Sequence, residues 1–212
     1  MQVKFIHTTT EGEKIIAYCA RVSSPNQDNP EYEKLLGYLI RNKHWSPFEM
    51  STLCVEITTS RAIAQQILRH RSFHYQEFSQ RYAETQAFET YPARRQDLKN
   101  RQNSLDDMTE EDKEWFKKAQ DTVQEECSRL YNKALKKGVA KEQARFLLPL
   151  STQTKLYMHG TIRDWSTYLL VRLGPETQLE HREIAREIWK ILQKEYPIIS
   201  KTLINTYPET FK

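Results

Sequence analysis

The sequence predicts an α+β protein: a single domain over residues 1–212, with a mixed or antiparallel sheet flanked by helices and a long central helix. Two patterns and one absence predict this. Stretches rich in β-branched residues alternate with stretches of apolar residues at helical spacing. One of the helical stretches, residues 109–137, far outruns the others, and no repeat or linker divides the chain. At 212 residues the chain is long enough for one sizeable core.

Taken in order, residues 2–8 read as a short strand. Residues 12–22 carry Ile15, Ile16, Cys19 and Ala20 at helical spacing. Asn29-Pro30 predicts the start of a second helix, Asn as cap and Pro in the first turn, with Leu35, Leu36, Leu39 and Ile40 on one face. His44 to Glu49 reads as a turn and residues 51–59 as a strand. Residues 61–71 return to helical spacing through Ile63, Ala64, Ile67 and Leu68, placing Arg69-His70-Arg71 at a helix C-terminus. Residues 90–109 are polar and irregular, a loop. The long helix follows, with Trp115, Ala119, Val123, Cys127, Leu130 and Ala134 as its expected apolar face and Gly138 as its stop. A strand around 155–160 and helices over 163–173 and 176–195, the last opened by Pro175, complete the expectation.

Composition narrows the function. The mean hydropathy of −0.77 is polar for an enzyme, yet 11 Tyr, 8 Phe and 4 Trp argue against disorder and suit burial at interfaces. Net charge is +4, and the basic residues include a compact cluster at 61–81 rather than a tail, which points to a small anionic ligand. No apolar run is long enough to span a bilayer and no signal-peptide core opens the chain, so a soluble, cytoplasmic protein without membrane contact is expected. Cys19, Cys54 and Cys127 read as free thiols with no zinc spacing. With five glycines in all, no glycine-rich phosphate loop can be built, so side chains must hold any nucleotide phosphates.

The chemistry concentrates in residues 69–82, Arg-His-Arg-Ser-Phe-His-Tyr-Gln-Glu-Phe-Ser-Gln-Arg-Tyr. Guanidinium forks match phosphate and carboxylate bidentately. On a helix, Arg69, His70 and Arg71 point about 100° apart, so they are either a solvated basic cap or parts of a site that wraps the helix end or lies where subunits meet. His70 and His74 have the spacing of a metal pair, but no carboxylate lies between them and the arginines repel a dication; no metal is expected. Glu77, Ser79 and Arg81 alternate, so an extended segment would project all three to one side. A basic nucleic-acid-binding module is the alternative; it predicts a distributed basic stripe with interleaved aromatics, and here the basic residues stand at isolated positions.

The pattern Arg69-His70-Arg71, seven residues, Ser79, then Arg81-Tyr82 resembles the signature of the flavin-dependent thymidylate synthases. His44-x-Ser46-Pro47-Phe48-Glu49, Gln66, Glu142 with Arg145-x-x-Leu148-Pro149, Arg163 and Arg172 match further family segments in order. The resemblance implies conversion of dUMP to dTMP, with 5,10-methylenetetrahydrofolate as carbon donor, FAD as redox cofactor and NADPH as reductant. It implies a dUMP site of Gln66, Arg69, Glu77, Ser79, the backbone at Gln80, Arg81, Arg145 and Arg172. FAD would be held by Ser23, Ser46, Glu49, Arg69, His70, Arg71 and Arg163, and His44 would lie near the flavin and folate end. Arg172, Ser79 and His44 are the residues expected nearest the chemistry, in a homotetramer whose sites are shared between subunits. Gln80 stands where the family often has Gly, Thr161 and Thr167 where some members have Asn, and Glu176 where His is common. The folate-only synthases attack uracil with a thiolate; none of the three cysteines here has a cationic neighbour in sequence to lower its pKa, so that chemistry is unsupported.

Overall fold

The computed structural model describes residues 1–85 and 87–211. Its strands are β1 (Gln2–Thr8), β2 (Thr52–Ser60), β3 (His74–Glu77), β4 (Arg95–Gln96), β5 (Ser104–Leu105) and β6 (Gln153–Thr161). Four of them form one sheet in the order β1-β2-β6-β3. The Thr9 amide bonds to the Thr52 carbonyl at 3.0 Å, so the end of β1 lies beside the start of β2. Bonds from Ile162 to Ser51 and from Arg61 to Thr152, both 2.9 Å, run β2 against β6. Phe78 bonding Lys155 at 2.8 Å does the same for β3. Every pairing is therefore antiparallel. β4 and β5 form a separate antiparallel pair, tied by the Arg95–Asp107 ion pair, within the stretch expected to be loop throughout.

The helices are α1 (Gly12–Ala20), α2 (Glu33–Arg41), α3 (Arg61–Ile67), α4 (Glu110–Lys136), α5 (Lys141–Ala144), α6 (Ile162–Arg172), α7 (Leu179–Glu195), α8 (Pro197–Thr206) and α9 (Pro208–Phe211). The chain folds into two compact units. The first comprises Met1–Gln2, Thr58–Arg69 and Gln76–Leu156; the second comprises Val3–Ile57, His70–Tyr75 and the chain from Tyr157 onward.

In the first unit α4 begins where expected. Thr109 caps it, its hydroxyl accepting the Asp112 amide at 3.1 Å, with Glu110, Glu111 and Asp112 at the positive dipole end. It ends in a Schellman motif: Gly138, at φ 82°, donates to Leu135 while Val139 donates to Ala134. The packed face differs from the expected stripe. Trp115 is 67% exposed and Val123 50%, whereas Tyr131 is the one fully buried residue of the helix. The side facing the unit carries glutamines: Gln120 exchanges two hydrogen bonds with the backbone of Tyr91, at 3.0 and 2.8 Å, and Gln124 donates to the Glu89 carbonyl. Apolar spacing cannot register a face that docks a loop through amides.

The second unit holds most of the core: Ile16, Leu36, Ile40, Phe48, Leu53, Val55, Ile57, Met158, Trp165, Ile188 and Leu203 are all buried. α2 starts at Glu33, not at Asn29. The Asn29 side chain instead accepts the Glu31 amide at 2.9 Å, and the Arg21 guanidinium clamps the Asn29 and Glu31 carbonyls. α7 likewise starts at Leu179, three residues later than expected. The residues read as a turn at His44 to Glu49 enter a short 3₁₀ helix, Ser46–Met50. α8 and α9, each opened by a proline, extend the helical layer beyond the expected end. Buried Glu13 accepts the Ile199 amide at 2.8 Å and so caps α8; burial raises its pKa. A capping box between Thr161 and Asp164 starts α6.

Candidate active site

α3 ends at Ile67, so Arg69-His70-Arg71 follows the helix rather than lying on it. The expected fan of three helical side chains is replaced by a turn that leaves Arg69 and Arg71 exposed and turns His70 inward. The Tyr75 hydroxyl donates to the His70 carbonyl at 3.0 Å and fixes the backbone there. In the second unit, the Arg172 Nε–H donates to His70 Nε2 at 2.8 Å. That contact decides the tautomer: Nε2 accepts, so a neutral His70 carries its proton on Nδ1. Burial first, and the Arg172 charge second, lower the His70 pKa to about 4.

Arg172 is the last residue of α6, where the helix dipole favours a cation. No carboxylate pairs with it, and its terminal nitrogens make no hydrogen bond among the described residues. A half-buried guanidinium is thus anchored by one nitrogen while two remain to meet a planar acceptor. Behind His70 stand aromatic rings: Tyr168 at 4.8 Å between centroids, His181 at 6.3 Å and Phe73 at 6.4 Å, all edge-on. Tyr168 and His181 pair through hydroxyl and Nε2 at 3.0 Å. Burial, then Arg172 and His70, hold the His181 pKa down at about 3.

The second unit also joins Glu49 and Arg163 in an ion pair, while His44 packs edge-on against Tyr38 at 5.8 Å. Ser46 opens the short 3₁₀ helix, and Ser23 lies in an exposed turn with no bond to the others among the described residues.

In the first unit, β3 ends at Glu77, whose carboxylate accepts the Thr154 hydroxyl at 2.8 Å and faces Arg61 at 3.6 Å. The extended alternation expected of Glu77, Ser79 and Arg81 stops there. Ser79 to Arg81 enter a turn in which the Ser79 hydroxyl accepts the Arg81 amide at 3.3 Å. No general base contacts Ser79 among the described residues. Arg81 pairs with Glu142 at 3.3 Å, and Arg145 Nε donates to the Glu142 carbonyl at 3.1 Å. This cluster is about half exposed, so the pair contributes roughly 0–1 kcal/mol and can exchange for a bidentate anion. Gln80 is buried, and its Nε2 has no partner among the described residues. Gln66 sits half-buried in the last turn of α3.

Residues 4–198 match the protein family described as thymidylate synthase complementing protein. The flavin-dependent thymidylate synthase of Synechocystis sp. (strain ATCC 27184 / PCC 6803 / Kazusa) is 55% identical, covering 96% of this chain and 99% of that one. This chain belongs to the flavin-dependent thymidylate synthase family. A probable flavin-dependent thymidylate synthase of Paramecium bursaria Chlorella virus 1 is 54% identical over 90% of each chain. Among solved structures, the UMP/dUMP methylase PolB from Streptomyces cacaoi, bound with 5-Br dUMP, superposes with a TM-score of 0.87 over 96% of this chain and 94% of its own. At 22% identity that likeness establishes the shared fold.

Set against the family's residues, the first unit carries Gln66, Arg69, Glu77, Ser79, Gln80, Arg81 and Arg145, and the second carries Ser23, His44, Ser46, Glu49, His70, Arg71, Arg163 and Arg172. Thr161 is committed here to capping α6. Sequence reasoning missed Tyr168 and His181. A signal for the first existed, since Tyr168 lies four residues before Arg172 and shares its helix face. His181 was hidden because it occupies a core position of α7, in register with Ile184, Ala185 and Ile188.

Proposed function

We propose that this chain methylates dUMP to dTMP, taking carbon from 5,10-methylenetetrahydrofolate and reducing equivalents from NADPH through FAD. The observation that carries this reading is Arg172, a half-buried cation whose terminal nitrogens make no hydrogen bond among the described residues, held by a neutral histidine of the Arg-His-Arg signature. Those nitrogens are suited to donate to a uracil carbonyl and to stabilise negative charge as it develops on the pyrimidine. In the first unit, Arg81 can exchange Glu142 for a phosphate, with Arg145 beside it; Gln66, Arg69, Glu77, the Ser79 hydroxyl and the Gln80 amide of that unit are the further dUMP contacts that the family resemblance implies.

Bound FAD supplies the hydride chemistry. Arg69 and Arg71, exposed beyond α3, are free to take flavin phosphates in a chain without a glycine loop. Ser46, Glu49, His70 and Arg163 line the same cofactor, with Ser23 at its margin and His44 toward the folate end. No helix among the described residues is long and apolar enough to cross a membrane, which agrees with a cytoplasmic enzyme. The family match runs through both compact units, which supports one functional domain over 1–212. Exposed Trp115 and Val123 on α4 agree with a homotetramer whose subunits complete one another's sites.

Purified protein should be yellow, with the flavin absorbance band perturbed on adding dUMP. Colourless protein that also refuses added FAD contradicts the proposal.

A further inference from the structure

We propose that Tyr168 and His181 are positioning residues for Arg172, forming the buried wall that holds His70 where its Nε2 accepts the Arg172 Nε–H. This role rests on the reading of Arg172 as a dUMP ligand. Tyr168 lies one helical turn before Arg172, so both project from the same face of α6. Its ring meets His70 at 72° with centroids 4.8 Å apart, and its hydroxyl reaches across to His181 on α7 at 3.0 Å. His181 stands at 86° to His70, so His70 is gripped from two helices.

The wall is chemically unusual for a mere filler. His181 is wholly buried, yet its Nδ1 has no partner among the described residues. An orphaned buried polar atom carries an uncompensated desolvation cost that an apolar side chain of similar volume would avoid. Both rings face the field of one guanidinium, and both stay neutral beside it. A neutral imidazole offers His70 a fixed edge without adding a positive charge that would repel the Arg172 guanidinium. Phe73, packed on Tyr168 at 5.8 Å and on Trp165 at 4.7 Å, closes the remaining side.

A double-mutant cycle tests this on the FAD-loaded enzyme, reading dUMP affinity by calorimetry, kcat and melting temperature. Tyr168→Phe keeps the ring and removes the hydroxyl. It should weaken dUMP binding about tenfold in the native background and less than twofold in Arg172→Ala, because contacting groups couple. His181→Leu should act likewise, and His181→Gln, which can still meet the Tyr168 hydroxyl, should recover most of the loss. Equal losses in both backgrounds, or native affinity in Tyr168→Phe and His181→Leu alike, overturn the positioning role. Undiminished dUMP affinity in Arg172→Ala overturns instead the functional reading beneath it. Substitutions on two separate helices keep the test available if one variant does not fold.

Discussion

His70 and Arg172 share one hydrogen bond, and it anchors Arg172, so His70 cannot be removed without disturbing the arginine. The resemblance assigned His70 to flavin and Arg172 to the pyrimidine, and that division predicts separable variants. The 2.8 Å contact predicts otherwise for His70. Arg172→Ala should lower dUMP affinity by about 2–5 kcal/mol, roughly 30- to several-thousand-fold, with FAD retained. His70→Ala should weaken flavin binding and also dUMP binding, because Arg172 loses its anchor; parallel titrations with both ligands check this. A dUMP affinity untouched in His70→Ala would show that Arg172 holds its place without the histidine. Gly160 poses a different residue-scale constraint: a Cβ there would sit 2.5 Å from the Phe73 ring. Gly160→Ala should destabilise by about 1–3 kcal/mol through overpacking, read from chemical denaturation, and should displace the ring against which Tyr168 packs. The signature from Arg69 to Ser79 was legible because it is a pattern of fixed local spacing, and it led to the family that the chain belongs to. His181 and the Phe73–Gly160 contact depend on tertiary neighbours that no local pattern encodes, whereas Tyr168 carried only its i, i+4 spacing to Arg172.

At the scale of elements, the legible features are those with local chemistry. α4 was readable at both ends because Thr109 and Gly138 act within a single turn of the chain. Thr109→Ala should therefore cost about 1 kcal/mol, and Gly138→Ala a comparable 1–2 kcal/mol, since alanine would be held in the left-handed region; both are measurable as shifts of the denaturation midpoint. The start of α2 was misplaced because Asn29, a good cap by type, is diverted into a turn held by Arg21, a contact spanning eight residues. The alternation of Glu77, Ser79 and Arg81 would place all three on one side only if the segment stayed extended, but β3 ends at Glu77. Its last ladder bond is made by Phe78, after which the Ser79 hydroxyl bonds the Arg81 amide and bends the chain away from extension. The polar packed face of α4 escaped detection for the opposite reason: apolar periodicity finds only apolar faces.

For the whole molecule, one buried and one half-buried histidine make stability depend on acidity. The folded pKa values, about 4 for His70 and about 3 for His181, lie below the ordinary 6.5. Unfolded chains therefore bind protons first as pH falls. The contribution of both residues is complete above about 6.5 and is lost progressively as pH drops toward 4. Melting temperature should fall across that window, and His181→Gln should flatten the decline. The α+β architecture was legible as a whole because strand and helix periods alternate along the chain, although the sequence left a mixed sheet open beside an antiparallel one; the division into two compact units was not legible, since each unit is assembled from separated segments. Light scattering at micromolar concentration should give four times the 25.3 kDa chain mass, and a fully active monomer would refute shared sites. The tryptophans supply an optical consequence. Trp165 is wholly enclosed, its Nε1–H bound to the Leu53 carbonyl at 2.9 Å, whereas Trp115 stands open on α4. Their fluorescence should accordingly separate into a blue, quencher-resistant component and a red, iodide-sensitive one. If the proposed tetramer covers α4, dilution that dissociates it should increase only the second, which would make subunit association readable from a cuvette without any label.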